Sequence, residues 1–190
     1  MKLNNILIFI LFCIFVMCSK NNKIEDERQQ FIEENFLEII GKEAYYNGSF
    51  IHFGNDSLQY YSKLSVKLDP EVTYNPKMES LLLEYFENKK DLKKDFNNVI
   101  HKNYKNNLLL DSNFNKKIGN YYIFFNDTEQ NKKIKYAGEI YIENLKIDNG
   151  KAVLIITKST QKKGITYVML FNKKGKQWDT ISNEVLMYIN

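Results

Sequence analysis

Two tight turns in the last third of the chain constrain its fold more than any other feature of the sequence. Asp148–Gly150 and Lys173–Lys176 each carry a glycine among polar residues, as a tight hairpin turn requires. Apolar and β-branched stretches flank both turns. Strands joined this closely must be antiparallel neighbours, because parallel pairing needs a long crossover. The sequence therefore predicts an antiparallel β-meander over roughly residues 120–190.

The strands expected in this part of the chain are short apolar or alternating runs. They are Leu108–Leu110, Tyr121–Phe125, Glu139–Ile147, Lys151–Thr160, Ile165–Asn172 and Trp178–Ile189. A further hairpin or bent strand pair is predicted from Ser49 to Leu68, where Leu64, Val66 and Leu68 alternate with polar residues in the pattern of a half-buried edge strand.

Two other regions of the chain show the apolar periodicity of helices. In residues 25–40 apolar side chains recur along one helix face, at Ile32, Phe36, Ile39 and Ile40. Residues 77–104 show the same spacing, with a break that divides two helices. We expect the N-terminal and central helices to pack on one face of the C-terminal meander. The predicted fold class is α+β, in a single domain over residues 25–190.

Composition excludes several classes of protein. With 13 Phe and 13 Tyr among 190 residues, the chain can bury a sizeable core, and few Gly and Pro argue against disorder. The net charge is +4, but basic and acidic residues are interspersed and no dense basic stripe is present. The pairs around Lys89 and Lys132 are interpreted as solvated faces. We therefore expect no nucleic-acid partner.

The N-terminus has the pattern of an export signal. Lys2 is followed by an uncharged stretch from Ile6 to Cys18, and a helix of this length is about 20 Å long, too short for a hydrocarbon core of about 30 Å. The only two cysteines, Cys13 and Cys18, lie in this leader, so no disulfide is expected in the folded part. We interpret residues 1–18 as a signal peptide and residues 19–24 as a flexible tether.

The end of this leader, Phe15-Val16-Met17-Cys18, resembles the lipobox of bacterial lipoproteins, although Phe15 and Met17 depart from its preferred residues. The resemblance implies that the Cys18 thiol is lipidated and that the mature chain begins there. Ser19 in place of the Asp that retains some lipoproteins at the inner membrane favours the outer membrane. The alternative is that Cys18 is an ordinary apolar residue of a simple signal peptide or an uncleaved anchor.

The C-terminal strands also resemble a known ending. Gly150–Ile156, Ile165–Phe171 and Lys174-Gly175-Lys176-Gln177-Trp178 are similar to the closing strands of uncharacterised Bacteroidetes-type lipoproteins and of cystatin-like or NTF2-like α+β domains. The resemblance covers about 50 residues. It implies a small α+β domain, but such folds include enzymes, binding proteins and inhibitors, so it does not indicate one function.

No catalytic or metal-binding motif is found in the sequence. The two histidines, His52 and His101, lack partners at metal-ligand spacing, and no nucleophile elbow, phosphate loop or dinucleotide fingerprint occurs. Glu139, Tyr141 and Glu143 share one strand face, and we expect their carboxylates to face water. We predict no catalytic residue, no metal and no cofactor.

Doubled tyrosines are the most unusual feature of the chain, and they occur at Tyr45-Tyr46, Tyr60-Tyr61 and Tyr121-Tyr122. In a strand, one ring of each pair would point outward and offer an aromatic surface to a sugar or peptide. The alternative is ordinary sheet decoration, because Tyr has high β propensity. These six residues are the predicted ligand or partner surface.

Three functions are consistent with these observations. The first is a cell-envelope lipoprotein that binds a protein or glycan, or has a structural role, without catalysis. The second is a periplasmic inhibitor or immunity-type protein that neutralises a toxin or hydrolase. The third is a small hydrolase or isomerase with a site in a cavity. In all three the predicted membrane contact is through the N-terminal lipid.

Overall fold

The computed structural model describes residues 27–51, 59–104, 106–111, 113–160 and 163–190. Its helices are α1 (residues 27–40), α2 (Ala44–Asn47), α3 (Pro76–Glu87) and α4 (Lys90–Ile100). Its strands are β1 (Leu64–Leu68), β2 (Glu71–Val72), β3 (Leu108–Leu109), β4 (Lys117–Ile118), β5 (Tyr121–Phe124), β6 (Lys135–Asp148), β7 (Lys151–Thr160), β8 (Lys163–Lys174) and β9 (Gln177–Ile189). A short 3-10 helix spans Asp127–Glu129.

Helices α1, α3 and α4 form where the apolar periodicity predicts them. The predicted face of α1, which includes Ile32, Phe36 and Ile39, is fully buried. The helix ends at Gly41, whose φ of +79° lies in the left-handed region that glycine adopts without strain. The break between α3 and α4 falls at Asn88 and Lys89. Over the described residues, α1 ends where it was predicted to end, and α3 and α4 together span residues 76–100, within four residues of the predicted range 77–104.

The main sheet has seven strands in the order β4-β5-β1-β6-β7-β8-β9. Strands β6 to β9 are successive antiparallel neighbours, as the tight turns predicted. Strand β1, however, lies between β5 and β6 and is parallel to both. The sheet is therefore mixed, and the prediction of a simple antiparallel meander from residue 120 is wrong, because β5 pairs with β1 rather than with β6.

The segment before β1 also differs from its prediction. Within the described residues, 49–51 and 59–63 contain no strand, so the predicted hairpin from Ser49 is not formed there. Leu64, Val66 and Leu68 do alternate into the core, but β1 is the third strand from the β4 edge and not an edge strand. A strand of five residues between two neighbours has the same alternation as an edge strand, so the pattern alone could not place it.

Two hydrophobic cores lie on opposite faces of the sheet. On β7, Leu154 and Ile156 pack with α1, whereas Val153 and Ile155 pack with α3 and α4. Strand β8 divides in the same way, because its side chains lie beside those of β7 in register. The helices therefore cover both faces, and the prediction that they share one face is wrong. The architecture is α+β in three layers.

Candidate functional site

Five of the six predicted tyrosines come together where α1 ends. Tyr45 and Tyr46 lie on the single turn of α2, and the Tyr60 ring contacts both, with centroid distances of 6.5 Å to Tyr45 and 5.9 Å to Tyr46. The Tyr45 ring stacks on Tyr121 at 4.7 Å. Together with Tyr61 beside them, these residues form what we call the tyrosine cluster.

Backbone hydrogen bonds fix the two parts of the cluster against each other. The Tyr61 amide donates to the carbonyl of Tyr45 at 2.7 Å, and the Gln59 amide donates to the carbonyl of Tyr46 at 3.0 Å. Helix α2 ends at Gly48, whose φ of +71° allows the chain to turn back beneath the ring of Tyr61. The rings are therefore held by main-chain geometry as well as by their own contacts.

The cluster grades from a buried base to an exposed tip. Tyr121 is fully buried and donates from its hydroxyl to the carbonyl of Gly41 at 3.0 Å, whereas Tyr46 and Tyr60 are 55% and 61% exposed. Burial raises the pKa of Tyr121 far above its ordinary value, and burial also raises the pKa of Tyr45. Both hydroxyls are therefore neutral at physiological pH. The exposed tip is an amphipathic aromatic surface on a rigid support.

Tyr122 is the one predicted tyrosine that lies elsewhere. It follows Tyr121 on β5, so its side chain points to the opposite face of the sheet. There the ammonium of Lys117 lies 5.7 Å from its ring centroid. The prediction of one inward and one outward ring applies to this pair. The alternation expected of a strand does not apply to Tyr45 and Tyr46, which are helical, or to Tyr60 and Tyr61, which lie outside the strands of the structure.

The sheet face on which Tyr122 lies also carries Glu139, Tyr141 and Glu143 of β6, which share one face as their strand parity predicted. Glu139 accepts hydrogen bonds from the hydroxyls of Tyr136, at 3.1 Å, and Tyr141, and its side chain is 31% exposed. The hydrogen bond to Glu139 is the main cause that raises the pKa of Tyr141 to about 12. Glu143 accepts from Thr157 at 2.6 Å. The carboxylates are thus partly buried and hydrogen-bonded, not simply facing water.

A polar cleft between α3, β6 and the end of α4 has no counterpart in the sequence predictions. Its volume is about 200 Å³, and Tyr74, Tyr104 and His101 contribute to its walls. At its inner side the buried ammonium of Lys146 donates to a carboxylate oxygen of Glu79 and to the carbonyl of Ile100, both at 2.6 Å. Lys146, which stands between Leu145 and Ile147 in β6, is a sequence signal that could have indicated it.

The remaining candidates for chemistry do not assemble a site in the described residues. His101 is exposed at the C-terminal end of α4. Among all described residues, no group of three or more His, Cys, Asp or Glu is placed to hold a metal ion. His52 and the lipidation candidate Cys18 lie outside the described residues. Among the helices that the structure does describe, none is long and apolar enough to span a membrane.

No family model, curated protein or solved structure matches this chain. The interpretation of the tyrosine cluster therefore depends on its own geometry.

Proposed function

We propose that this chain is a lipid-anchored protein of the bacterial cell envelope that binds a protein or glycan partner, without catalysis, through the exposed tip of the tyrosine cluster. One observation supports this most directly. Tyr46 and Tyr60 are more than half exposed, yet each ring is already held by a neighbouring ring. Tyrosine is among the residues that most often contribute a large share of the binding energy at interfaces.

The support beneath these two rings strengthens the proposal. An exposed side chain loses conformational entropy when a partner immobilises it, and this loss reduces affinity. Here Tyr45, itself stacked on the buried Tyr121, holds the Tyr60 ring, so part of that loss has already occurred on folding. Tyr46 and Tyr60 also keep hydroxyl groups that can hydrogen-bond to a sugar or a peptide.

The double substitution Tyr46→Ser/Tyr60→Ser tests the binding role. We expect the retention of envelope partners on the immobilised protein to fall about tenfold or more, because truncating anchor residues commonly costs over 1 kcal/mol each. The measurement compares material captured from detergent-solubilised envelopes by the wild type and the variant. Treating the envelopes beforehand with a protease or a muramidase identifies the partner as protein or glycan.

Tyr188→Ser is the matched control, because Tyr188 is 66% exposed on β9 and no described contact joins it to the cluster rings. The control should capture partners as the wild type does. All three proteins should unfold at similar temperatures, since the substituted side chains are mostly exposed. Capture by the double variant at the wild-type level would contradict the binding role.

Lipidation is tested separately with the two leader cysteines. Wild-type protein and Cys13→Ala should fractionate with membranes and carry the mass of a lipid modification, because only Cys18 stands at the end of the lipobox-like segment. Cys18→Ala should lack that mass. The measurements are mass spectrometry of the mature protein and separation of inner from outer membranes. A wild-type protein without added mass would refute the anchor.

A further inference from the structure

The β8–β9 turn concentrates positive charge beside the one tryptophan of the chain. Lys173, Lys174 and Lys176 are exposed in this turn, which we call the basic turn, and the ammonium of Lys173 lies 5.2 Å from the ring centroid of Trp178. Lys174 pairs with Asp179 at 2.7 Å. The hairpin end has three lysines and one aspartate, and with Glu34 of α1, which lines the same surface as Lys176 and Trp178, this surface keeps one excess positive charge.

The basic turn lies at the same end of the molecule as the start of α1. Phe31, in the second turn of α1, contacts Phe171 at 5.1 Å and Trp178 at 4.9 Å, both as edge-to-face pairs. These two residues flank the basic turn on β8 and β9. The chain that leads from Cys18 into α1 therefore enters the folded part near the basic turn.

The tyrosine cluster lies at the other end. Helix α1 ends beside Tyr121, which donates to the carbonyl of Gly41, and the last residue of α1, Ile40, accepts from Lys158 near the C-terminal end of β7. The N-terminal end of β7, at Lys151, pairs instead with Asn172, next to the basic turn. Helix α1 thus runs from the end with the basic turn to the end with the tyrosine cluster.

Chain length limits how far the anchored end can be from a membrane. From Cys18 to residue 27 the chain has nine peptide steps and can extend about 30 Å at most. The 14 residues of β6 span about 45 Å at about 3.3 Å per residue. The tether is therefore shorter than the sheet. A lipid on Cys18 would keep the distance between the bilayer and the end with the basic turn below the length of the sheet.

We propose that the basic turn and Trp178 dock on an anionic phospholipid surface and so orient the tyrosine cluster away from the membrane. The inference rests on the proposed lipid anchor. Lysine ammonium groups attract the phosphates of anionic lipids within about a Debye length, and tryptophan favours the headgroup region of a bilayer. A partner bound at the tyrosine cluster would then approach from the side opposite the membrane.

Because the chain has one tryptophan, its fluorescence reports this docking directly. The lipidated full-length protein is reconstituted into phosphatidylethanolamine vesicles that contain phosphatidylglycerol, or phosphatidylcholine in its place, with a lipid that carries a nitroxide on its headgroup. We expect strong quenching of Trp178 in the anionic vesicles and weak quenching in the neutral ones. High salt should remove the difference, because it screens exposed charges.

Lys173→Gln/Lys176→Gln is the variant, and Lys42→Gln/Lys63→Gln, with two exposed lysines on the chain segments that flank the tyrosine cluster, is the matched control. One lysine near an anionic surface is worth about a fivefold change in binding, so the variant should lower the ratio of docked to undocked protein about 25-fold. The control should be quenched like the wild type. The far-ultraviolet circular dichroism and unfolding temperature of the variant in detergent should match those of the wild type and show that its fold is intact, because Trp178 emission itself responds to the loss of the Lys173 ammonium beside the ring.

The outcomes separate this inference from the proposed anchor. Mass spectrometry of the reconstituted protein first establishes whether Cys18 carries lipid, and an unmodified Cys18 overturns both proposals. If Cys18 is lipidated but Trp178 is quenched equally in anionic and neutral vesicles, only the docking surface is refuted. Equal quenching of the variant and the wild type in anionic vesicles refutes it as well.

Discussion

The ammonium of Lys158 lies at the C-terminal end of α1, where it donates to the carbonyl of Ile40 at 2.6 Å. The residue is 7% exposed, and its nitrogen is 4.9 Å from the ring centroid of Tyr167. A cation at this position donates a hydrogen bond to a terminal helix carbonyl and interacts favourably with the negative end of the helix dipole. Burial nevertheless disfavours the charged form, and it lowers the pKa of Lys158 to about 8.

This lowered pKa predicts how stability depends on pH. The pKa of Lys158 is about 8 in the folded state and about 10.4 in the unfolded state. Between these values the unfolded chain binds more protons, so the free energy of unfolding should rise with pH. The rise between pH 8 and pH 10 should be about 2 kcal/mol, at about 1.4 kcal/mol per pKa unit.

The Lys158→Met variant isolates this effect, because it fills similar space without a titrating group. Urea unfolding of both proteins across this pH range should show the rise in the wild type only. Above pH 10 the raised pKa values of Tyr121, Tyr136 and Tyr141 act in the opposite direction in both proteins, so the comparison stops there. Parallel curves for the two proteins would show that Lys158 does not titrate in this range.

At the scale of single residues, the sequence predicted side chains whose pattern is local. The tyrosine pairs stood out by their doubling, and five of the six residues do come together. Their contact could not be predicted, because it joins α2 to residues 59–61 without a regular element among the described residues between them, and to β5, more than 70 residues away along the chain. Lys158 and Lys146 were missed since a lysine beside apolar residues usually lies on an exposed face.

At the scale of elements, α3 begins with a cap that the sequence marks by Asn75-Pro76. The Asn75 side chain accepts from the amides of Lys77, at 3.0 Å, and Met78, at 3.4 Å, and its amide donates to Glu143 at 2.7 Å. Pro76 occupies the first helical position, where its missing N–H costs no hydrogen bond. The cap therefore both starts the helix and ties it to β6.

Asn75→Ala should lower the free energy of unfolding by about 1–2 kcal/mol, because the helix loses the acceptor for its first amides. Asn88→Ala, at the opposite end of the same helix, is the matched control. The Asn88 side chain is exposed and makes one hydrogen bond of 3.3 Å to the carbonyl of Glu84, so its loss should cost under about 0.5 kcal/mol. Chemical denaturation measures both, and equal costs would contradict the cap.

Strands whose neighbours are set by local turns were predicted well. Strands whose neighbours are distant in the sequence were not. The β6–β7 and β8–β9 hairpins follow from two-residue turns, Asn149-Gly150 and Gly175-Lys176, and the bounds of β6 to β9 lie within four residues of those expected. Strand β1 pairs with β5 and β6, each more than 50 residues away along the chain, and no local pattern specifies such a partner. Helix α2 is a single turn, too short to show helical periodicity.

At the scale of the whole molecule, one sequence signal did indicate that the helices lie on both faces. Residues 152–156 form an unbroken apolar run in the middle of the chain's longest antiparallel region. A strand with one solvated face alternates, whereas a continuous run is typical of a strand that is buried on both faces. In β6, by contrast, the alternation of Glu139, Tyr141 and Glu143 with apolar residues correctly indicates that one face of the sheet is polar there.

The shared sheet predicts that the two cores unfold together. Ile32 of α1 and Leu82 of α3 are both fully buried, one in each core, and successive residues of β7 and β8 belong to opposite cores. Losing either core exposes one face of the same strands. Ile32→Ala and Leu82→Ala should therefore each lower the free energy of unfolding by about 2–5 kcal/mol within a single transition.

Exposed Leu109→Ala is the control for both core variants, since Leu109 is 69% exposed and its truncation should cost under about 0.5 kcal/mol. The measurement follows unfolding by two signals, Trp178 fluorescence for the core on α1 and far-ultraviolet circular dichroism for all helices and strands. Coincident midpoints in every variant are expected, because β7 and β8 cannot keep one face packed when the other is lost. Separate midpoints in Leu82→Ala would mean that α3 and α4 unfold independently of the sheet, and that the two cores are not one cooperative unit.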